Sequence, residues 1–326
     1  MQSPHEWQIP LRHQPNQEAL SYDLAAALGS VVGLRARIPS DAFTAETLGT
    51  ERAGQGVIIR PNGLVLTIGY LIAEAEDVWL TTNDGRVVQG HALAYDYASG
   101  FGLVQALGNL DRPPLPMGDS RGLTPGEHVV VGGAGGRIHS LSAQVVARQE
   151  FAGYWEYLIE DAIFTAPAHP NWGGTALIGN RGDLLGIGSL QLQHQAEGGQ
   201  VVPLNMIVPI DLLKPILDDM LTHGRVRRPP RPWLGLYAQE DDGEQVVIVG
   251  LAGEGPAQRA GLRASDVVHA VGGESVTSLA GFYRAIWALG QAGVDVPFTL
   301  EREGDRFDVS VTSADRDRFM KPRRLQ

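Results

Sequence analysis

Short stretches of strand-forming residues alternate with turn signals over most of the chain, from residue 30 to about residue 208. Apolar segments at residues 56–59 and 64–67 flank a turn that carries Pro61 and Gly63 where turn geometry prefers them. Asn83-Asp84-Gly85 separates two further segments and is a strong hairpin signal. Strands at this spacing, with almost no helix between them, indicate β-barrels or a β-sandwich.

The pattern changes after residue 208. Residues 211–223 place apolar side chains at helical spacing and Gly224 follows as a C-cap, which predicts a helix. Residues 225–231 are rich in arginine and proline, which favours a stiff, extended linker and the clearest domain boundary in the chain. Beyond it, several strands, a short helix that begins at Pro256 and a longer helix over residues 279–289 predict a smaller α+β domain.

Composition limits the classes of function. A net charge of -11 argues against a general nucleic-acid binder, because neutralising phosphates requires a basic surface. The absence of cysteine excludes disulfides, thiolate zinc sites and cysteine nucleophiles. The N-terminus shows no signal-peptide pattern, and no run approaches ~20 apolar residues. The sequence therefore predicts a cytoplasmic protein without a membrane span, or a periplasmic one if a signal was removed.

The segment at residues 168–177 points to a chemistry. It is Ala-His-Pro-Asn-Trp-Gly-Gly-Thr-Ala-Leu and resembles the nucleophile loop of chymotrypsin-type serine proteases, where Gly-Asn/Asp-Ser-Gly-Gly-Pro precedes a hydrophobic strand. Gly173 and Gly174 are in place, but Trp172 stands in the serine's position. An indole cannot attack a carbonyl, so the usual route of peptide cleavage is closed if the match holds.

Other motifs, in the same order, resemble the HtrA family of trypsin-like proteases with a C-terminal PDZ domain, over roughly residues 22–313. They lie at residues 56–67, at 115–120 (Leu-Pro-Met-Gly-Asp-Ser), at 208–217 (Val-Pro-Ile-Asp-Leu-Leu-Lys-Pro-Ile-Leu) and across 255–268 (Gly-Pro-Ala, Ala-Gly-Leu, Asp-Val-Val). The resemblance implies a mainly β fold, a chymotrypsin-like double six-stranded β-barrel followed by an α+β PDZ domain.

The implied domains follow the chain in order. They are a flexible N-terminal segment (1–21), a trypsin-like domain (22–224), a Pro/Arg linker (225–231), a PDZ domain (232–313) and a basic tail (314–326). Within the trypsin-like domain, barrel one covers about residues 22–112, barrel two about 113–208 and an exit helix 209–224.

The same resemblance locates what is missing. Tyr70 stands where the family has its catalytic histidine, and Gly100 where it has its aspartate. In this fold the oxyanion is held by the N–H of the nucleophile and that of the residue two positions earlier. That earlier residue is Pro170, which has no N–H. Because Trp172 replaces the serine as well, the resemblance predicts a catalytically degenerate member.

Two alternatives stay open at this point. One is residual or rewired serine endopeptidase activity, with a hydroxyl nucleophile and a helper beside it. The candidate nucleophiles are Ser99, Ser189 and Thr175, and the candidate helpers are Tyr70, Asp96 and His169. The other alternative is a metal bound by His169 and His194, but no His-x-x-x-His pair or carboxylate cluster accompanies them. We therefore predict no metal and no cofactor.

The PDZ-like region carries the binding function that survives. PDZ domains add an extended peptide to a sheet edge and hold its terminal carboxylate with backbone N–H groups. By resemblance, the donors lie in the loop formed by Trp233, Leu234, Gly235 and Leu236, where glycine permits the tight turn. The helix over residues 279–289 offers four side chains that are equally good candidates for a ligand pocket or for the core: Phe282, Ala285, Ile286 and Leu289.

The resulting prediction is a non-catalytic, HtrA-like pseudoprotease that acts as scaffold, chaperone or regulator in protein quality control. Its implied partners are exposed peptide C-termini or unfolded protein segments, and an active protease paralogue. The resemblance also implies a homo-oligomer, a trimer.

Overall fold

A computed structural model describes residues 7–195, 199–241 and 245–321. The described chain falls into two compact units. The first unit comprises residues 7–149 and 161–226, and the second comprises Glu150–Glu160 and Arg227–Lys321. The division at residues 226–227 coincides with the predicted Pro/Arg linker. The assignment of Glu150–Glu160 to the second unit has no counterpart in the sequence patterns, which placed these residues in barrel two.

Six antiparallel strands of the first unit close into a barrel in the order β1-β2-β3-β6-β5-β4. A closed barrel leaves no strand edge unpaired. The strands are β1 (Val31–Arg37), β2 (Glu51–Arg60), β3 (Leu64–Ile68), β4 (Asp77–Thr81), β5 (Val87–Tyr95) and β6 (Phe101–Ala106). Two short helices, α1 (Leu24–Gly29) and α2 (Ala45–Leu48), flank β1 in the chain. Gly63 and Gly85 have φ of 78° and 86°, so both predicted turns place glycine where the backbone is left-handed.

Six more strands form a second closed barrel in the order β10-β11-β12-β9-β8-β7. They are β7 (His128–Gly132), β8 (Leu141–Gly153), β9 (Tyr157–Ala166), β10 (Ala176–Ile178), β11 (Leu184–Gln195) and β12 (Val201–Pro209). Its core is aliphatic and includes Val131, Leu141, Leu177 and Ile207. The predicted double six-stranded barrel is confirmed.

The N-terminal segment differs from the flexible one that we predicted. Between residues 7 and 21 the chain forms two 3-10 turns, Leu11–His13 and Gln17–Ala19. Ile9 is buried in the core of the second barrel and its N–H donates to the Ile138 carbonyl at 2.9 Å. Burial of an apolar side chain gives this segment a reason to be ordered. Residues 1–6 lie outside the described residues.

The predicted exit helix over residues 209–224 is wrong in its continuity. The structure has a 3-10 turn at Ile210–Leu212 and a separate helix, α3 (Leu217–His223). Pro215 lies between them, has no N–H to donate and cannot continue a helix from the preceding turn. Gly224 ends α3 in the left-handed conformation with φ of 67°, as its C-cap position predicted. No helix of the described chain is long and apolar enough to cross a membrane.

The second unit contains a sheet in the order β13-β14-β15-β17-β18, with β16 paired to β15. The strands are β13 (Leu236–Glu240), β14 (Val246–Leu251), β15 (Val267–Val271), β16 (Glu274–Ser275), β17 (Asp295–Arg302) and β18 (Asp305–Thr312), and the helices are α4 (Pro256–Arg259) and α5 (Leu279–Ala288). Ser278 caps α5 by accepting from the Gly281 N–H at 3.0 Å. The predicted α+β domain is confirmed.

Part of the predicted basic tail packs on this unit. Ala314 and Trp233 exchange two backbone hydrogen bonds, of 2.9 and 3.0 Å. A 3-10 turn at Arg316–Arg318 follows, and the Phe319 ring lies 4.8 Å from the Trp233 ring. Residues 322–326 lie outside the described part of the chain.

Candidate functional site

Tyr70, at the position expected for the base, is hydrogen-bonded to the protein backbone. The Tyr70 hydroxyl donates a 2.9 Å hydrogen bond to the Ser189 carbonyl. Burial raises the pKa of Tyr70 well above its usual range, and the Trp172 side chain, whose indole N–H can only donate, acts in the opposite direction. Tyr70 is therefore a neutral phenol whose proton is donated to a backbone carbonyl.

Gly100, at the position of the missing carboxylate, is hydrogen-bonded to the backbone next to Tyr70. Its carbonyl accepts from the Gly69 N–H at 2.6 Å, one residue before Tyr70. Its φ of 82° is a left-handed conformation that favours glycine. The structure thus links Gly100 to the residue before Tyr70, and the three positions carry a phenol, no side chain and an indole.

The buried His169 holds the start of the nucleophile loop. The backbone N–H of His169 donates to the Asn205 side-chain oxygen at 2.6 Å. The ring Nδ1 accepts from the Asn171 backbone N–H at 3.2 Å. Nε2 therefore carries the proton and donates to the His139 carbonyl at 2.8 Å. Burial lowers the pKa of His169, which keeps the ring neutral. With both ring nitrogens engaged, His169 has no lone pair for a nucleophile or a metal.

Gln55 clamps the same loop. Its side-chain NH2 donates to the Asn171 carbonyl at 2.6 Å, and its backbone N–H donates to the Gly173 carbonyl at 2.9 Å. The Gln55 side-chain oxygen accepts from the Ala134 N–H. Pro170 contributes no donor, as the sequence predicted, and the Asn171 N–H is committed to His169. The loop is held by these hydrogen bonds, and neither residue 170 nor residue 171 has a free backbone N–H to donate to an oxyanion.

The alternative nucleophiles have structural contacts. Ser99 is part of a turn, since its N–H donates to Asp96 Oδ2 at 2.9 Å and its hydroxyl accepts from the Phe101 N–H at 3.3 Å. The Thr175 hydroxyl donates to the Trp172 carbonyl at 2.9 Å. Ser189 is buried and its carbonyl is the acceptor for Tyr70.

The metal alternative involves two histidines in different settings. His194 is exposed on β11, whereas His169 is buried. Over residues 7–195, 199–241 and 245–321, no group of three or more His, Asp or Glu side chains is placed to hold a metal ion.

In the second unit, the predicted carboxylate-binding loop brings three donors to one point. The N–H groups of Leu234, Gly235 and Leu236 all donate to one carboxylate, at 3.1, 2.8 and 3.1 Å. Gly235 has φ of 72°, which turns its N–H toward the others. The carboxylate belongs to Glu156, a residue that sequence reasoning missed.

Trp233 is a correction to the predicted donor set. Its N–H donates to the Ala314 carbonyl at 3.0 Å, and its side chain is buried against Phe319. Trp233 packs beside the loop, and its backbone N–H is not one of the donors to the carboxylate.

The predicted pocket residues of α5 contribute to the core. Phe282 and Ile286 are fully buried there, and Ala285 and Leu289 pack against it partly buried. Tyr283 of α5, which sequence reasoning also missed, contacts the hairpin tip between β8 and β9 (residues 150–156). Its hydroxyl donates to the Gly153 carbonyl at 2.7 Å and accepts from the Glu156 N–H at 3.1 Å. No local signal could reveal this pairing, because its partners lie about 130 residues earlier in the chain.

Comparison with known proteins agrees with these two folds. Residues 54–187 match the family described as trypsin-like peptidase domain, and residues 232–312 match the family described as PDZ domain. The two matches give the order of a trypsin-like peptidase domain followed by a PDZ domain. Two curated relatives are each named "Probable periplasmic serine endoprotease DegP-like". The relative from Halomonas elongata is 27% identical over 274 residues, which cover 80% of this chain and 56% of the relative. The relative from Pseudomonas fluorescens is 27% identical over 287 residues, with 83% and 59% covered. This chain therefore spans less than two thirds of either relative.

Solved structures share the fold of this chain. The HtrA-type protease AlgW with decapeptide is 19% identical, with a TM-score of 0.52 over 92% of this chain and 99% of that one. The serine endoprotease from Yersinia pestis is 19% identical, with a TM-score of 0.51 over 91% and 99%.

Proposed function

We propose that this chain is a non-catalytic, HtrA-like pseudoprotease whose PDZ domain binds exposed peptide C-termini or unfolded protein segments. The observation that carries the proposal is the 2.9 Å hydrogen bond by which the Tyr70 hydroxyl donates its proton to the Ser189 carbonyl. A protease of this fold needs a nucleophile beside a base with a free lone pair at this place. A neutral phenol whose proton is donated to a backbone carbonyl performs neither task.

The backbone chemistry supports the same conclusion. Proteases that lose only their triad keep roughly 10³–10⁴-fold catalysis over water, which comes from the oxyanion hole and from binding. Removing one oxyanion donor typically costs a further ~10²–10³ in rate. Pro170 supplies no such donor here. Little residual rate is expected from what remains.

The PDZ loop supports a binding role. Three backbone N–H groups already converge on a carboxylate, which is the group that ends every peptide. Solved neighbours include AlgW with a tripeptide and AlgW with a decapeptide. We extend peptide binding from those proteins to this one, and with it a role as scaffold, chaperone or regulator in protein quality control.

The second candidate function is residual or rewired serine endopeptidase activity, because the curated relatives are named endoproteases. The two candidates are separated by digestion of unfolded casein together with labelling by a fluorophosphonate probe. The unaltered protein and a Trp172→Ser variant are compared, with trypsin as the positive control. We expect neither cleavage nor labelling from either protein. Cleavage with labelling of the unaltered protein would overturn the pseudoprotease proposal and indicate a relocated nucleophile.

Assembly and compartment are further parts of the proposal. We propose a trimer, which light scattering after gel filtration would reveal as about three times the chain mass of 35.0 kDa. The active protease paralogue stays a proposed partner, to be tested by co-purification. The curated relatives are named periplasmic, so the cytoplasmic prediction has no support from them, and we propose the periplasm instead. Fractionation of the native host with an antibody against this chain would decide.

A further inference from the structure

The turn between β8 and β9 contacts the PDZ-like sheet. Strand β13 is at one end of its sheet order, so one of its edges is free of β-strand partners within that sheet. The Ala238 N–H on β13 donates to the Tyr154 carbonyl at 2.8 Å, and the Tyr154 and Tyr237 rings lie 5.9 Å apart. Residues 150–156, the hairpin tip between β8 and β9, thus contact the edge where a PDZ domain adds its peptide.

The helix on the other side of the groove contacts the same tip. Tyr283 on α5 bonds to the Gly153 carbonyl and to the Glu156 N–H, as described above. The Arg284 guanidinium forms an ion pair with the Glu150 carboxylate. Ala152 packs against the apolar core of the unit. Contacts from both walls hold the tip along its length.

Glu156 ends the segment as a terminal carboxylate would. Its side chain is 4% exposed and accepts from three successive backbone N–H groups, at residues 234–236. Its φ of 59° is left-handed, an uncommon conformation for a residue with a side chain. Burying a carboxylate without hydrogen-bond donors is costly. Here the loop supplies donors to Glu156, and Glu156 supplies an acceptor to the loop.

We propose that the hairpin tip is the resident ligand of the PDZ groove, with the Glu156 side chain in place of a peptide's terminal carboxylate. A free peptide enters only after the tip has left. The inference rests on the proposed peptide-binding function of this groove. Each of the three N–H groups can serve one carboxylate at a time, so tip and peptide compete. The apparent peptide affinity is then the intrinsic affinity multiplied by the fraction of molecules whose tip is released.

Hydrogen exchange tests the resident ligand directly, without any peptide. The full chain is compared with Glu156→Ala, with the milder Glu156→Gln, and with Glu160→Gln, which changes an exposed glutamate of the same segment. We expect the amides of residues 234–236 to exchange about 10- to 100-fold faster in Glu156→Ala, because charge-assisted bonds are lost. Glu160→Gln should match the unaltered protein. Unchanged exchange at residues 234–236 in Glu156→Ala would overturn the inference.

A second variant guards against a folding defect. Tyr283→Phe keeps the ring in the core and removes both hydrogen bonds to the tip. Circular dichroism and thermal unfolding identify any variant that fails to fold. In a folded Tyr283→Phe protein, residues 234–236 should also exchange faster, by several fold. Exchange equal to the unaltered protein would contradict the contact.

Peptide binding separates this inference from the proposed function. The probe is a pool of fluorescein-labelled decapeptides of random sequence, with free or amidated C-termini, read by fluorescence anisotropy. We expect Glu156→Ala to bind the free pool at least tenfold more tightly than the unaltered protein, and no protein to bind the amidated pool. Equal binding of the free pool by both proteins would overturn the inference. Faster exchange with no peptide bound by any variant would support the resident ligand and overturn the peptide-binding proposal.

Discussion

The Gly235 N–H donates a 2.8 Å hydrogen bond to the carboxylate of Glu156, a residue 79 positions earlier in the chain. The bond depends on a left-handed glycine, because only that backbone turns this N–H toward the donors on either side. It joins the loop that sequence patterns identify as a carboxylate site to a residue that they leave unremarked.

Replacing Gly235 with alanine should destabilise the PDZ-like unit. Its φ is 72°, and an added Cβ would lie 2.9 Å from a ring carbon of Trp233. We expect the free energy of unfolding to fall by about 1–3 kcal/mol, measured by urea denaturation. Gly253→Ala is the matched control, since a Cβ there meets nothing within 4 Å. Equal stability of the two variants would refute this prediction.

The docking of the tip should weaken as pH rises. Burial raises the pKa of Glu156 from 4.5 to about 7, against hydrogen bonds from Leu234, Leu236 and Gly235 and the positive charge of Arg316. The docked tip therefore binds a proton more tightly than the released tip, and docking is strongest below about pH 4.5. The stabilisation that the docked tip gains from binding this proton is lost as pH rises to about 7. Tyr283, the other titratable neighbour, stays neutral because burial raises its pKa further above its usual range.

Hydrogen exchange measures this pH dependence. After correction for the intrinsic pH dependence of exchange, the amides of residues 234–236 should become more exposed between pH 5 and pH 8, on the order of a hundredfold. Glu156→Gln removes the titrating group and should give a flat profile. A profile of the same slope in both proteins would assign the effect to another group.

Replacing Arg302 with alanine should lower the stability of the PDZ-like unit more than replacing Arg306 with alanine. The guanidinium of Arg302 forms two hydrogen bonds, of 2.6 and 2.7 Å, with the fully buried carboxylate of Asp266. Arg302→Ala leaves that carboxylate without its cation, so we expect a clear loss of stability in thermal or urea unfolding. Arg306→Ala removes an exposed partner of Glu301 and should change stability by less than about 1 kcal/mol. Similar losses in both would contradict the prediction.

Gln55→Ala should loosen the loop that carries Trp172. The side chain bridges the Asn171 carbonyl and the Ala134 N–H, and both lose their partner in the variant. We expect a loss of about 1–3 kcal/mol in the stability of the trypsin-like unit and faster exchange at Ala134. Gln193→Ala, on an exposed position of β11, is the control and should be neutral. A Gln55 variant as stable as this control would show that the bridge contributes nothing.

Much of the fold could be predicted because its signals are local. The alternation of β2 and β3 around Pro61 and Gly63, and the hairpin at Asn83-Asp84-Gly85, depend on residues that are neighbours in the chain. Pro215 is a local signal too. The apolar spacing on either side of it predicted an uninterrupted exit helix, and this was wrong because the proline has no N–H to continue the helix. Ile9 was missed because its partners are core residues of the second barrel, far along the chain.

The candidate sites also combine features that are local in the sequence with features that depend on distant partners. The sequence by itself determined which chemistry is absent at residues 70, 100, 170 and 172, because a side chain that lacks a nucleophile, a base or an N–H lacks it in any fold. Only the tertiary structure decided that the Tyr70 hydroxyl donates to Ser189, that His169 is bonded to Asn171 and His139, and that Glu156 reaches the PDZ loop. Hydrogen-bond partners separated by tens of residues are chosen by how strands and helices pack, and that choice leaves no pattern in the residues between them.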